Sequence, residues 1–188
     1  MSKQCWKPGN MLAPVPAVLV TVRDKSGKDN VITIAWTGTI CSDPPMVSIS
    51  VRKERFSHAM LKESGEFVIN LVNEDLTRAA DYCGVKSGRD EDKFAAAGLT
   101  KEPAQKVNAP LIKESPVNLE CKVTQVLELG SHDMFLGEIV AVDVDEKLLD
   151  KDGRLQLEKA ELVSYIHGEY FGLGEKIGKF GHSVRKKK

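Results

Sequence analysis

The spacing of apolar residues changes several times along the chain, and each change marks an element. Val15 to Val22 (VPAVLVTV) is an apolar, β-branched run that stops at the turn-like Asp24-Lys25-Ser26-Gly27, which predicts a strand. Asn30 to Ile40 (NVITIAWTGTI) predicts a second strand. After Pro44-Pro45, Met46 to Lys53 predicts a third, with strict alternation. β-rich runs joined by short turns predict an antiparallel meander.

The period then becomes helical. Ser57 is the expected N-cap, Phe56 and Leu61 are spaced for a hydrophobic staple, and Gly65 falls where a left-handed residue would end the helix. Glu66 to Val72 returns as a strand. Asn73 is expected to cap a second helix, with Glu74 and Asp75 in its first turn, Leu76, Ala79, Ala80 and Cys83 as its apolar stripe, and Gly84 as its end. Asp90 to Ala97 predicts a short third helix before Gly98. Thr100 to Pro116 has three prolines and no period, and predicts a long surface connection. Val117 to Leu127, with Leu119, Cys121 and Val123 on one face, predicts a strand. Gly130-Ser131-His132 predicts a turn, and Met134 to Val144, apolar on both faces, a central strand. Glu161 to His167 is the last expected strand, and Gly168 to Gly181 is irregular. At least six strands with helices inserted among them predict an α+β fold, mainly β, closed as an antiparallel barrel. No repeated strand-helix-strand period points to a parallel doubly wound sheet.

The length of 188 residues suits one domain over 1–188, with a core over about 10–168 and an extension over 169–188. Lys plus Arg equals Asp plus Glu at 27 each, so no global charge steers the chain to nucleic acid or to an acidic membrane. The one cationic block, Arg185-Lys186-Lys187-Lys188, reads as a solvated terminus. No apolar run is long enough to span a bilayer, and Met1 to Lys7 does not read as a secretory signal, so a cytoplasmic protein is expected. Cys5, Cys41, Cys83 and Cys121 form no paired motif, and neither they nor His167 and His182 suggest a metal site. Cys83 and Cys121 fit apolar faces, and Cys41 stands near a candidate site segment.

Two segments carry candidate chemistry. In the third strand, Ser48, Ser50 and Arg52 share one face, and Lys53, Arg55, Ser57 and His58 follow where the strand feeds a helix. Hydroxyls and cations at a helix N-terminus suit a phosphate, and an ordinary solvated strand face is the plain alternative. Trp36-Thr37-Gly38-Thr39 places a glycine inside a strand, which either bares backbone to a flat ligand or marks a simple bulge.

Three longer runs combine these pieces: Asn30 to Thr39, Asp43 to Arg52 and Glu63 to Leu71. Asp92-Lys93-Phe94 with Gly98, Glu120-Cys121, and Gly130-Ser131-His132-Asp133 leading to Gly137-Glu138-Ile139-Val140 extend the pattern. Over roughly residues 10 to 168 it resembles the flavin reductase-like family, and in particular its flavoredoxin-type branch. The resemblance implies an FMN-binding split β-barrel, antiparallel and Greek-key-like with inserted helices, acting as a homodimer with the flavin near the subunit interface. Position by position it implies that Trp36, Thr37, Gly38 and Thr39 border the isoalloxazine. Ser50, Val51, Arg52 and Lys53 hold the ribityl phosphate, with Arg55 and His58 added at the phosphate end. His132 lies near the reactive flavin face as the catalytic candidate. The implied function is an NAD(P)H-dependent flavin or ferric reductase. Ile32 to Trp36 departs from the glycine-methionine-threonine type segment of reductases that serve monooxygenases. That departure leaves flavin binding intact and keeps a second reading open, a flavoredoxin-like carrier between redox protein partners. A cofactor-free binding barrel is the third.

Overall fold

The computed structural model describes residues 1–184; the cationic block Arg185 to Lys188, expected as a solvated terminus, lies outside the described residues. In chain order the elements are β1 (Val15–Pro16), β2 (Val18–Arg23), β3 (Asp29–Ile34), β4 (Thr37–Ser42), β5 (Pro45–Arg52), α1 (Phe56–Ser64), β6 (Glu66–Leu71), α2 (Thr77–Val85) and α3 (Lys93–Ala97). They continue with β7 (Lys101–Glu102), β8 (Leu111–Ile112), β9 (Val117–Leu129), β10 (His132–Val144), β11 (Val163–Ile166) and β12 (Glu169–Gly172).

Seven strands form one antiparallel sheet in the order β3-β2-β6-β9-β10-β5-β4. Its two outermost strands, β3 and β4, are consecutive in the chain, with only Ala35 and Trp36 between them. Laid flat, seven strands would hold their edges about 29 Å apart, at the usual strand spacing. Two linking residues reach at most about 11 Å. The sheet therefore curls until its edges approach, and the Ser50 N–H, which donates to the Trp36 carbonyl at 2.9 Å, carries the β4–β5 pairing up to the break. A three-stranded sheet, β1-β11-β12, stands beside it, and β7 pairs with β8.

The expectation of one strand over 30–40 is thus corrected. The chain breaks at Ala35-Trp36, and its halves lie at opposite edges of the sheet order. Both halves are β-branched, so periodicity cannot see a break that curvature imposes.

The curl gives each strand two different faces. Val18, Val20 and Val22 of β2 enter the barrel core with Ile49, Phe67 and Phe135, and α1 adds Met60 and Leu61. Leu19, one residue out of phase, packs on the outside with Ala80 and Cys83 of α2, Phe94 of α3 and Ile112. Burial on both faces explains the unbroken apolar run there. Gly137 on β10 has a packing reason: an added Cβ would stand 2.7 Å from Cζ of the fully buried Phe67 ring.

Several boundaries move. The N-cap of α1 is Arg55, extended at φ −70° and ψ 140°, and no side chain caps it. Ser57 lies inside the helix, buried, and its hydroxyl accepts from Asn30 Nδ2 at 2.8 Å. Gly65 does end α1, at φ 67°. Asn73 Oδ1 accepts the Leu76 N–H at 3.1 Å and so caps the turn leading to α2 rather than α2 itself. Gly84 lies within α2, where it lets the helix approach Thr33 of β3; a Cβ there would meet the Thr33 Cβ at 3.3 Å. His132 opens β10, leaving Gly130 and Ser131 as the turn, and β12 was not expected.

The stretch 100–116 is not a surface connection. Val107, Ala109, Leu111 and Ile112 are buried. The fully buried Glu120 carboxylate accepts the backbone N–H groups of Gln105, Lys106 and Val107 at 2.8, 2.6 and 3.0 Å. Asn70 Oδ1 accepts the Ile112 N–H at 2.9 Å. Buried side chains satisfy this backbone in place of a ladder, and such partners leave no periodic trace.

Candidate functional site

Register on β5 and β10 builds the site. Arg52 pairs with His132, Ser50 with Met134 and Ser48 with Leu136, so these six side chains share one face. The intervening residues Val51 and Asp133, also paired, face the other way and are buried. Trp36 projects from the seam between β3 and β4, 42% exposed, and its ring lies 4.7 Å from that of His132 at 46°.

Three clefts meet around these residues. The first, about 300 Å³, is walled by Trp36, His132 and Tyr165, with Thr33, Ser50, Arg52 and Arg55 on its sides. The second, about 470 Å³, shares Ile32, Arg52 and Arg55 with the first and continues to Asn30, Ser57, Lys86 to Arg89 and Lys93. Both volumes fall in the range of small-molecule sites. The third lies along Trp36 with Thr37, Gly38, Ser48 and Met134, and the N-terminal Leu12 lines it.

The second cleft is strongly cationic. The uncapped start of α1 opens on it, so helix N–H groups and the positive end of the dipole stay available. Lys93 is 3% exposed and donates to the carbonyls of Cys83 at 2.9 Å and Lys86 at 3.2 Å. An ammonium has three donors, and these bonds use two. Burial pushes its pKa down to about 8; Cys83 and Glu91 oppose the shift and Arg55 adds to it. Gly88 is needed where it stands, because a Cβ would sit 2.2 Å from Asn30 Oδ1. That approach seats the 86–89 loop against β3 and the start of α1. Arg89 fixes the same corner by donating to the Glu54 carbonyl at 3.1 Å.

In the first cleft His132 is held by Trp36 on its face and by Ser131 Oγ, 2.9 Å from Nδ1. Burial and then the Arg52 charge lower its pKa, which favours the neutral imidazole, while Glu54 opposes the shift.

The structure brings together Trp36, Ser50, Val51 (through its backbone), Arg52, Arg55 and His132. Thr37 and Gly38 lie on the far side of Trp36, with open space around the Gly38 Cα. Thr39 lines none of the three clefts. Lys53 and His58 lie elsewhere, on the face of Asp133: His58 Nε2 is 2.8 Å from Asp133 Oδ2, and Lys53 Nζ is 3.3 Å from Oδ1. Burial works to raise the Asp133 carboxyl, but the bond from His58 and the Lys53 ammonium outweigh it and hold the group below the usual carboxylate range. The expected phosphate group is therefore split by strand alternation, Arg52 to the cleft and Lys53 away from it. Asn30, Thr33, Lys86 to Arg89, Lys93 and Tyr165 were not expected at the site. Ser87-Gly88-Arg89 between two helices, with Lys86 before it, was the available signal for the loop. Cys83 and Cys121 are packing residues, their thiols pushed by burial to about 11 and about 12. Among the described residues no helix is long and apolar enough to cross a membrane.

Comparison with known proteins fits this geometry. The model of the flavin reductase like domain matches residues 11–174. The chain belongs to the flavin reductase-like family. Among solved structures, the flavoredoxin of Desulfovibrio vulgaris (Miyazaki F) superposes with a TM-score of 0.91 at 34% identity, over 98% of this chain and 100% of that one. A flavoredoxin from Methanosarcina acetivorans gives 0.88 at 28% identity, over 98% and 100%. Among curated relatives, an NADH:riboflavin 5'-phosphate oxidoreductase of Streptomyces pristinaespiralis is 27% identical over 127 residues, 68% of this chain and 69% of that protein. The curled antiparallel sheet is the split barrel of this flavin reductase-like family.

Proposed function

We propose that the chain binds FMN across the first two clefts and works as an NAD(P)H-dependent flavin or ferric reductase. The observation that carries the binding is the continuity of an aromatic-walled cleft with a cationic one at an uncapped helix start. The residues fit the cofactor: Trp36 and Tyr165 suit a flat heterocycle, and Arg55, Lys93 and the N–H groups of α1 suit a phosphate dianion. When bound, the flavin supplies the electron chemistry that no side chain here provides. Arg52, at the junction of the clefts, orients the bound molecule along both. His132, braced by Trp36 and with its neutral form favoured, offers a hydrogen-bonding edge beside the ring. The reductase reading is supported by the likeness to an NADH-using relative, and it requires that a nicotinamide reach one flavin face in near-attack geometry. Anaerobic stopped-flow mixing with NADH and NADPH tests it. Prompt bleaching of the bound flavin is expected. Flavin that stays oxidised with both nucleotides, yet is reduced by dithionite and reoxidised by a redox protein, establishes the carrier reading instead, which the flavoredoxin likeness favours.

The same reading includes a homodimer in the cytoplasm. The chain ends flank the small sheet that carries Tyr165, and they expose Trp6, Met11 and Leu12 before it and Leu173, Ile177 and Phe180 after it. Large exposed apolar groups in this density suit a second copy. Sedimentation at micromolar concentration should show a dimer, and a monomer with full flavin occupancy would refute a shared site.

A further inference from the structure

An uncapped helix at a phosphate site raises a mechanical question. Leaving α1 without a side-chain cap keeps its first N–H groups for a ligand, but it also removes the usual fastening of a helix start. Arg89 on the Glu54 carbonyl and Asn30 on the Ser57 hydroxyl tie residues 54–57 to the 86–89 loop and to β3, which leaves the β10 side of the turn, and with it Arg55, to be fastened.

We propose that Asp133 is that fastening: a positioning residue that anchors the first turn of α1 to β10 and so sets the geometry of the cationic cleft. The inference rests on the reading of that cleft as the FMN phosphate site. Asp133 is 1% exposed and points away from the clefts, opposite to its neighbour His132. Its two oxygens are bound by one short segment only. Oδ2 accepts from His58 Nε2 at 2.8 Å, and Lys53 Nζ stands 3.3 Å from Oδ1 in an ion pair without the angles of a hydrogen bond. An ionised carboxylate can only accept, so His58 Nε2 carries the proton of that bond. Lys53 and His58 bracket the N-cap Arg55, and Arg55 N–H donates to the Arg52 carbonyl at 3.0 Å. A single carboxylate on β10 thus grips the chain on both sides of the phosphate-facing turn. The other charge near this group is Glu128 of β9, which shares Lys53 at 3.9 Å; Phe135 packs edge-on against the His58 ring. None of these atoms reaches the clefts, so any effect on ligand passes through the position of α1.

The test compares FMN with riboflavin, which lacks the phosphate, in wild type, Asp133→Asn, His58→Leu and His58→Gln. Asp133→Asn and His58→Leu should weaken FMN by about tenfold while leaving riboflavin within about twofold, because only the phosphate end shifts. His58→Gln, which can restore an N–H to Asp133, should recover most of the FMN affinity. Without ligand, amide exchange at residues 56–60 should speed up in the two disruptive variants, with β9 and β10 amides unchanged. Equal losses for both ligands, or faster exchange throughout the sheet, would mark Asp133 as a general stability residue and overturn the proposal. If wild type itself does not prefer FMN to riboflavin, the phosphate placement fails and the positioning role with it. If Arg55→Ala abolishes that preference while Asp133→Asn keeps it, the positioning role alone is wrong.

Discussion

The two clefts that meet at Arg52 and Arg55 are built by opposite means. The aromatic cleft is assembled from strand ends and the barrel seam, with Trp36, His132 and Tyr165 contributed by three separate stretches of chain. The cationic cleft is assembled at one corner, where the start of α1 meets the 86–89 loop and Lys93. The first offers area and flat faces, the second charge and N–H donors. A ligand that is flat at one end and doubly negative at the other uses both, and one that lacks the phosphate uses only the first. FMN and riboflavin are therefore a matched pair of probes that separates the two clefts.

The largest separation should come from Arg55→Ala. It removes a charge-assisted bond from the cationic cleft, which is worth about 1.5–3 kcal/mol, so FMN affinity should fall roughly ten- to a hundredfold. Riboflavin affinity should hardly change, and titration by quenching of flavin fluorescence reads both. Similar losses would mean that Arg55 serves the ring and not the phosphate.

The second comes from pH. Lys93 titrates near 8 because it is buried, and its folded pKa lies below the usual lysine value. The FMN phosphate is already a dianion above pH 7, so on the proposed placement a rise in pH through 8 removes one cation from the cleft that would hold it. FMN affinity should drop by no more than about tenfold per unit there, and riboflavin affinity should stay flat. For the free protein the sign reverses: the folded state binds fewer protons than the unfolded chain between about 8 and the ordinary lysine range. Its stability should therefore rise with pH across that window, as thermal melting without ligand would show. In Lys93→Met both trends should vanish.

Trp36→Ala should give the smallest effect and the opposite pattern. Loss of one aromatic face is worth about 0.5–1.5 kcal/mol beyond area, so FMN and riboflavin should both weaken by roughly two- to twelvefold. The same variant unbraces His132, and its imidazole pKa, read by NMR, should move back towards the ordinary value. A loss confined to FMN would place Trp36 at the phosphate end and collapse the distinction between the clefts.

The legible part of this protein is that governed by local pattern. Alternation in Met46 to Arg52 shows which side chains of β5 share a face, and the structure keeps Ser48, Ser50 and Arg52 together as that pattern requires. Gly65 and Gly98 end their helices at positive φ because no other residue takes that conformation at so little cost. The antiparallel, mainly β class follows from strand runs without a strand-helix repeat, and the combined motifs place the chain among flavin-binding barrels.

Everything that depends on curvature and on distant partners comes from the folded chain as a whole. The break at Ala35-Trp36 exists because a seven-stranded sheet must bring its edges together, a global demand that no local period encodes. Lys93 and Gly88 join the site through space: a buried ammonium needs the carbonyls of Cys83 and Lys86, and the loop needs the room that Gly88 leaves for Asn30. Lys53 and His58 leave the clefts because a buried carboxylate, Asp133, requires donors, and those two are within its reach. Periodicity fixes which side of an element a residue faces; the need to satisfy buried charge and to close the sheet decides what it meets there.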